Sequence, residues 1–142
     1  MKNIIIYSHG FGVQKDDRGL FTDIATALPA AEHILFDYNQ VDEAANTLTV
    51  VSLNKQAEKL RGIVLETQAA NPDATIDIIG HSQGCLVAAI ANVPGVRKTI
   101  FTAPPPDADI ESKIKRWRVR YGTQFTTEGT SYLERKDGST TI

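Results

Sequence analysis

The stretch that decides the fold reads Ile78-Ile79-Gly80-His81-Ser82-Gln83-Gly84-Cys85-Leu86-Val87. An apolar segment leads into Gly-His-Ser-Gln-Gly, and a second apolar segment follows. This pattern predicts a buried strand, a sharp turn and a helix, with Ser82 at the turn in a strained backbone conformation. Gly80 and Gly84 lack a Cβ, which lets the helix close onto the strand. Ser82 is therefore predicted to present its hydroxyl as a nucleophile, beside the positive end of a helix dipole.

Strand-like and helix-like segments alternate on both sides of this turn. Apolar runs rich in β-branched residues predict strands over residues 3–8, 33–38, 75–79 and 96–102. Amphipathic spacing predicts helices over residues 20–28, over residues 53–70 with Ser52 as N-cap, and directly after Ser82. Strict alternation indicates the α/β class: a mostly parallel sheet with helices on both faces, in three α/β/α layers.

Several polar residues follow the predicted strands. His9, Asp37, Ser82 and Asp107 each come after a strand end, and sites in parallel sheets form outside the carboxyl ends of the strands. We therefore expect these four residues at one rim of the sheet. His33 opens its strand and is expected at the opposite rim, in a structural role.

The alternation stops beyond residue 102. Asp107 is the predicted N-cap of an amphipathic helix that carries Ile110, Ile114 and Trp117. Asp137-Gly138 predicts a hairpin within residues 131–142. The basic run over residues 113–120 is interpreted as the solvent-facing side of that helix, in preference to a nucleic-acid or membrane patch.

Composition restricts the partners and the compartment. The 142 residues are 42% hydrophobic and 23% charged, with a net charge of -2 and a pI near 5.9, which gives no reason to expect nucleic acid or an anionic membrane as partner. Cys85 is the single cysteine, so an internal disulfide is excluded, and we interpret it as a packing residue. The first apolar run is too short for a signal peptide or a membrane span. We predict a cytoplasmic protein with neither a metal nor a cofactor.

Two motifs together resemble the α/β-hydrolase family. Gly80-His81-Ser82-Gln83-Gly84 is similar to its nucleophile elbow, and His9-Gly10-Phe11-Gly12 is similar to its oxyanion loop. The resemblance extends over about residues 3–106 and implies a serine hydrolase of esterase or lipase type that acts on a small ester or related acyl substrate. It implies Ser82 as nucleophile and the backbone N–H groups of Phe11 and Gln83 as the oxyanion hole.

The resemblance also implies a domain organisation for the chain. We expect one domain over residues 1–142, with its core over 3–106 and a lid-like helix and hairpin over 107–142. Ile114 and Trp117 of that lid would line the acyl pocket.

Family members place an acid and then a histidine base after the nucleophile, whereas all three histidines here precede Ser82. On the rim of the active site, His9 is a candidate base or a residue that orients the oxyanion loop. The ring of His81 is expected to point away from the hydroxyl and to pack. Asp107 is the candidate acid, with Asp109 beside it, although both also suit the start of a helix.

Two other hypotheses stay open. The chain could be a catalytically incomplete or inactive α/β-hydrolase module that lacks the last strands of the sheet and self-associates through the uncovered edge, as a homodimer. Alternatively, Gly10-x-Gly12 after a strand and Asp37 after the next strand resemble a nucleotide-binding loop. Lys15 in place of a third glycine and a late helix start argue against nucleotide binding.

Overall fold

Four parallel strands form the first of two sheets. A computed structural model describes residues 1–106 and 109–142, with Ile110 described by its backbone alone. Its strands are β1 (Asn3–Ser8), β2 (Glu32–Ile34), β5 (Thr75–His81) and β6 (Lys98–Thr102). They stand in the order β2-β1-β5-β6, and β1 runs beside β5 so that Ile6 lies opposite Ile78 and Ser8 opposite Gly80.

Helices cover both faces of this sheet, as predicted. The helices are α1 (Leu20–Ala27), α2 (Leu53–Ala70) and α3 (Gln83–Ala91). Alternate residues of β1 point to opposite faces, so Ile4 and Ile6 pack in one core and Ile5 and Tyr7 in the other. The first core contains buried side chains of α2 and α3, and the second contains Phe21 of α1. This arrangement explains the continuous apolar runs in the strands, which are buried on both sides.

The second strand is shorter than predicted. The apolar run over residues 33–38 suggested a strand throughout, but β2 ends at Ile34. Beyond this point, Tyr38 donates its backbone N–H to the ring of His9 and its side-chain hydroxyl contacts Ser8. The backbone N–H of Tyr38 is thus paired with a side chain and not with a neighbouring strand.

The chain divides into two compact units, Met1–Tyr38 with Val51–Pro105, and Asn39–Val50 with Pro106–Ile142. We call them the first and the second unit. The second unit contains a four-stranded sheet of β3 (Gln40–Asp42), β4 (Thr47–Thr49), β7 (Leu133–Glu134) and β8 (Thr140–Thr141). These strands stand in the order β3-β4-β8-β7. The unit thus includes a segment, 39–50, that the predicted lid did not contain.

The hairpin around Asp137-Gly138 is confirmed, since β7 and β8 pair antiparallel. The hairpin of β3 and β4 was not predicted, because each strand has only three residues, two of them polar. Asn46 between them has a φ of 52°, a left-handed conformation that asparagine tolerates well in turns.

The helix after the first sheet is α4 (Ile110–Tyr121), followed by a 3-10 turn (Gly122–Gln124). Its N-cap is Asp109 rather than Asp107, since the Asp109 carboxylate accepts hydrogen bonds from the N–H groups of Glu111 and Ser112. Asp107 lies outside the described residues. Most of the basic side chains of α4 are exposed to solvent, as expected for a solvated helix face.

Candidate active site

Ser82 stands at the turn between β5 and α3 with a φ of 51° and a ψ of -122°. A positive φ is rare for a residue with a side chain and costs free energy, so the surroundings must hold it in place. The Ser82 N–H donates to the carbonyl of Thr102 at 3.1 Å, and its carbonyl accepts from the N–H of Cys85 at 3.0 Å. The strained turn predicted from the sequence is therefore present, with Ser82 half-buried at its centre.

The two glycines of the turn let the chain pack where no side chain would fit. A Cβ at Gly84 would lie 1.9 Å from the carbonyl oxygen of Ser8, and a Cβ at Gly80 would lie 3.0 Å from the carbonyl oxygen of Gly84. Gly84 therefore allows the start of α3 to rest directly on the end of β1. This contact brings the loop after β1 to the serine turn.

Gly10 of that loop lies against Ser82. A Cβ at Gly10 would be 3.4 Å from the Cβ of Ser82, which is ordinary van der Waals contact. The Gly10 N–H donates to Asp17 Oδ2 at 2.8 Å, and its carbonyl oxygen lies 2.8 Å from Nδ1 of His9. Both peptide groups beside this residue are thus held by side chains.

His9 is buried, with 1% of its surface exposed, and both ring nitrogens are occupied. Nε2 accepts the backbone N–H of Tyr38 at 3.0 Å, so Nδ1 carries the proton and donates it to the Gly10 carbonyl. Burial lowers the pKa of His9 below its usual value, which keeps the ring neutral. This geometry favours the loop-orienting role over that of a base for Ser82.

A second buried network joins β1 to the start of α3. The Ser8 hydroxyl donates to the carbonyl of Gly84 at 2.8 Å and accepts from the Tyr38 hydroxyl at 2.7 Å. Burial raises the pKa of Tyr38, so its hydroxyl stays protonated and able to donate. Sequence reasoning missed both residues, although Ser8-His9 at the end of an apolar strand is a polar pair that a buried network would explain.

Asp17 is the most informative residue that sequence reasoning missed. It is 5% exposed, and its Oδ2 contacts both the Gly10 N–H and Nδ1 of His81, the latter at 2.9 Å. In the sequence it stands within Lys15-Asp16-Asp17-Arg18, a charged run typical of a solvated loop. Nothing local distinguishes Asp17 from Asp16.

The remaining histidine has a structural role, as predicted. In His33, Nε2 donates to the carbonyl of Leu28 at 2.9 Å and Nδ1 accepts from the Tyr7 hydroxyl at 2.9 Å. Among the described residues, no side chain forms a hydrogen bond with the hydroxyl of Ser82, so none of the three histidines is placed as its base.

The remaining predicted site residues that the structure describes lie at the start of α3 and in or next to α4. Gln83 is the first residue of α3. Ile114 and Trp117 are half-buried in α4 of the second unit, where the Trp117 ring packs edge-on against Phe125 at 5.4 Å. The alternative acid, Asp109, caps α4, and its hydrogen bond with the Ser112 hydroxyl lowers the pKa of its carboxyl. Asp107, the first choice of acid, lies outside the described residues.

Cys85 packs beneath the turn, as expected. It is buried, and its thiol lies 3.5 Å from the Thr102 carbonyl. Burial raises the pKa of the thiol, which makes it a poor nucleophile.

Geometry gives no support to nucleotide binding at the first loop. The Asp37 carboxylate accepts the backbone N–H of Lys15 at 2.6 Å, so it serves its own neighbouring loop. The following helix begins only at Leu20 and has Gly19 before it. Its N-terminus is therefore not placed directly after Gly12, where a dinucleotide-binding loop would need it.

In residues 1–106 and 109–142, no group of three or more His, Cys, Asp or Glu side chains is arranged to hold a metal ion. None of the helices within these ranges combines the length and the hydropathy needed to cross a membrane.

Comparisons with known proteins place this architecture. No protein-family model matches the chain, and no curated protein matches it. Among solved structures it is similar to the α/β hydrolase GrgF from Penicillium sp. sh18, with a TM-score of 0.63 and 24% sequence identity. The likeness covers 99% of this chain and 53% of that one, so the chain spans about half of the length of GrgF. With its parallel first sheet flanked by helices, the chain has an α/β-hydrolase-like fold.

Proposed function

We propose that this protein is a serine hydrolase that acts on an ester or related acyl substrate, with Ser82 as nucleophile. One observation carries the proposal: Ser82 has a positive φ at the start of α3, with Gly10 of the oxyanion loop packed against it. Such a turn exposes a hydroxyl beside backbone N–H donors, which is what acyl transfer needs. A strained serine in this position is costly for a turn that only connects a strand to a helix.

The proposed oxyanion hole consists of the backbone N–H groups of Phe11 and Gln83. In a trans peptide the C=O and the next N–H point in opposite directions. Because His9 holds the Gly10 carbonyl, the N–H of Phe11 points away from His9. The N–H of Gln83 belongs to the first turn of α3, where the helix has no carbonyl to accept it and the dipole favours negative charge.

In the proposed reaction, Ser82 Oγ forms a bond to the acyl carbon while its proton passes to a water molecule, and the carbonyl oxygen becomes the oxyanion held by these two donors. The oxyanion then collapses, the bond from the acyl carbon to the alcohol oxygen breaks, and the alcohol leaves with the proton returned by that water. A second water then attacks the acyl carbon, and its proton returns to Ser82 Oγ as the acid is released. A cytoplasmic location is part of the same proposal, in keeping with a single free cysteine, Cys85.

Covalent labelling of Ser82 tests the proposal. A fluorophosphonate forms a bond from phosphorus to Ser82 Oγ, and fluoride leaves. We expect an adduct on Ser82, detected by peptide mass spectrometry, and none in Ser82→Ala. The rate should lie well below that of a hydrolase with a complete triad, because an oxyanion hole and binding alone give on the order of 10³-fold catalysis over water.

Ser52→Ala is the matched control, since Ser52 also directly precedes a helix but caps it in an ordinary conformation. This variant should label like the wild type. Equal labelling of the wild type and Ser82→Ala, under conditions that label a known serine hydrolase, would contradict the proposal.

A second candidate function is that of an incomplete hydrolase module that forms a homodimer through β6. Among the described residues, β6 pairs only with β5, so its other edge carries backbone groups without strand partners. Ile100 and Phe101 are 44% and 48% exposed, and neighbouring residues of a strand point to opposite faces. Apolar side chains are thus uncovered on both sides of an open edge, which favours pairing with a second strand.

Sedimentation velocity tests this candidate. Two copies related by a two-fold axis would pair their β6 strands antiparallel, and we expect a dimer at micromolar concentrations. The double substitution Ile100→Lys with Phe101→Lys should shift the protein to monomer and raise the dissociation constant at least about tenfold. Leu65→Lys, at a side chain of α2 with 45% exposure, is the control and should leave the dimer intact. A wild-type monomer at high concentration rules this candidate out.

A further inference from the structure

A single carboxylate oxygen joins the two loops that form the candidate site. Asp17 Oδ2 accepts the N–H of Gly10 at 2.8 Å and the ring N–H of His81 at 2.9 Å. Gly10 belongs to the oxyanion loop, and His81 directly precedes Ser82. The two loops are distant in the chain, and Asp17 links them through one carboxylate oxygen.

Two energetically unfavourable features accompany the position of Asp17 Oδ2. Asp17 and Arg18 have φ values of 48° and 59°, and Gly19 follows with 90°, so three successive residues are left-handed. Glycine adopts this conformation freely and aspartate tolerates it, so Arg18 carries most of the strain. The carboxylate is also 4% exposed, and a buried charge is costly unless it is paired and hydrogen-bonded. Strain and a buried charge together, beside a candidate nucleophile, indicate a role beyond closing a surface loop.

We propose that Asp17 is a positioning residue that fixes the oxyanion loop against the serine turn. Asp17 holds the N–H of Gly10 while His9 holds its carbonyl, so the peptide groups on both sides of the Gly10 Cα have fixed orientations. The second of these groups includes the N–H of Phe11, the proposed oxyanion donor. Asp17 acts on the reaction only through this loop, and the inference rests on the proposed function.

Two substitutions distinguish the effect of losing the carboxylate from the effect of changing the backbone strain. Asp17→Gly removes the carboxylate and relieves the strain of the positive φ, whereas Asp17→Asn keeps the size, an acceptor oxygen and tolerance of the left-handed conformation. We expect fluorophosphonate labelling of Ser82 to slow about 100-fold in Asp17→Gly, because a displacement near 1 Å at a reacting site has about this effect. Asp17→Asn should slow labelling by only about tenfold, since a neutral acceptor makes bonds roughly half as strong and half of the free energy of a 100-fold effect is a tenfold effect.

The matched control is Asp23→Asn, an exposed carboxylate in the first turn of α1 that makes the same change in charge. It should label at the wild-type rate. Wild-type labelling in a folded Asp17→Gly variant would overturn the inference and leave the proposed function standing. Should Asp17→Gly not fold, Asp17→Asn decides, and labelling that is identical to that of the wild type would then overturn it.

Nuclear magnetic resonance gives a readout that does not need a reactive Ser82. An amide that donates to a carboxylate is shifted downfield and protected from exchange, so the Gly10 amide should show both effects in the wild type. In Asp17→Gly we expect both to be lost, with the amide resonances of Phe11 and Gln83 moving too. If Ser82 does not react in the wild type, the proposed function fails, and unchanged Phe11 and Gln83 resonances in Asp17→Gly would overturn the positioning role separately.

Discussion

Replacing Gly84 with alanine is expected to remove much of the stability of the first unit. The added Cβ would lie 1.9 Å from the carbonyl oxygen of Ser8 and 2.7 Å from that of His9, and backbone atoms cannot move aside by changing rotamer. The start of α3 must then shift away from β1, which also stretches the hydrogen bond from Ser8 to the Gly84 carbonyl. Overpacking commonly costs about 1–3 kcal/mol, and we expect about 3 kcal/mol or more here. Urea denaturation followed by circular dichroism measures the loss.

Gly62→Ala is the matched control for this prediction. Gly62 lies inside α2, and a Cβ there would meet nothing within 4 Å. Alanine is the better helix former by about 1 kcal/mol, so this variant should gain stability. A Gly84→Ala protein with the wild-type midpoint would show that α3 does not rest on β1 as described.

Replacing His9 with alanine is expected to have the second largest effect on stability. The imidazole satisfies two buried backbone groups, the Gly10 carbonyl and the Tyr38 N–H, and the variant leaves both without it. Each unsatisfied buried group costs about 1–3 kcal/mol, and the lost ring adds a cavity, so we expect a total of about 3 kcal/mol or more. Urea denaturation at pH 7.5 measures the change, and Ser82 labelling should slow because the oxyanion loop is released.

His9→Asn is the conservative control, because its amide can still donate to the Gly10 carbonyl and should recover part of the loss.

Acid titration gives a second check. The pKa of His9 is lower in the folded chain than its value of about 6.5 in the unfolded chain. The stability that the neutral His9 ring contributes is therefore fully present above that pH. As the pH falls below about 6.5, the unfolded chain binds a proton that the folded chain does not, and stability decreases. His9→Ala with an unchanged midpoint and an unchanged pH dependence would refute the role given to His9.

Features that depend on neighbouring residues could be predicted from the sequence. The bounds of α2 are those predicted, because its apolar spacing, the Ser52 cap and Asn71-Pro72 are all local signals. The strained turn at Ser82 is also local, since two glycines and two apolar segments define it. The parallel sheet with helices on both faces was predicted from the alternation of strands and helices, the resemblance of two motifs implied an α/β-hydrolase-like fold, and the likeness to GrgF supports that fold.

Features that depend on distant partners could not be predicted. Asp17 contacts His81, which is 64 positions away, and in the sequence it looks like the exposed Lys15 and Arg18 beside it. Tyr38 was expected to continue a strand, but its N–H and hydroxyl are used by residues at the end of β1. Strand propensity alone could not show that Tyr38 leaves the strand. Its position depends on hydrogen bonds to residues that come close only after folding.

The sequence by itself determined that Ser82 would stand in a strained turn between a buried strand and a helix. The signals for this turn, glycines at both ends of a pentapeptide between two apolar segments, all lie within ten residues, so the sequence could predict it although the surroundings hold its strain. Only the tertiary structure decided what surrounds it: Gly10 against Ser82, His9 turned to the loop, and Asp17 joining the loop to His81. The reason is physical, since buried polar groups must be paired, and folding alone determines which of them meet.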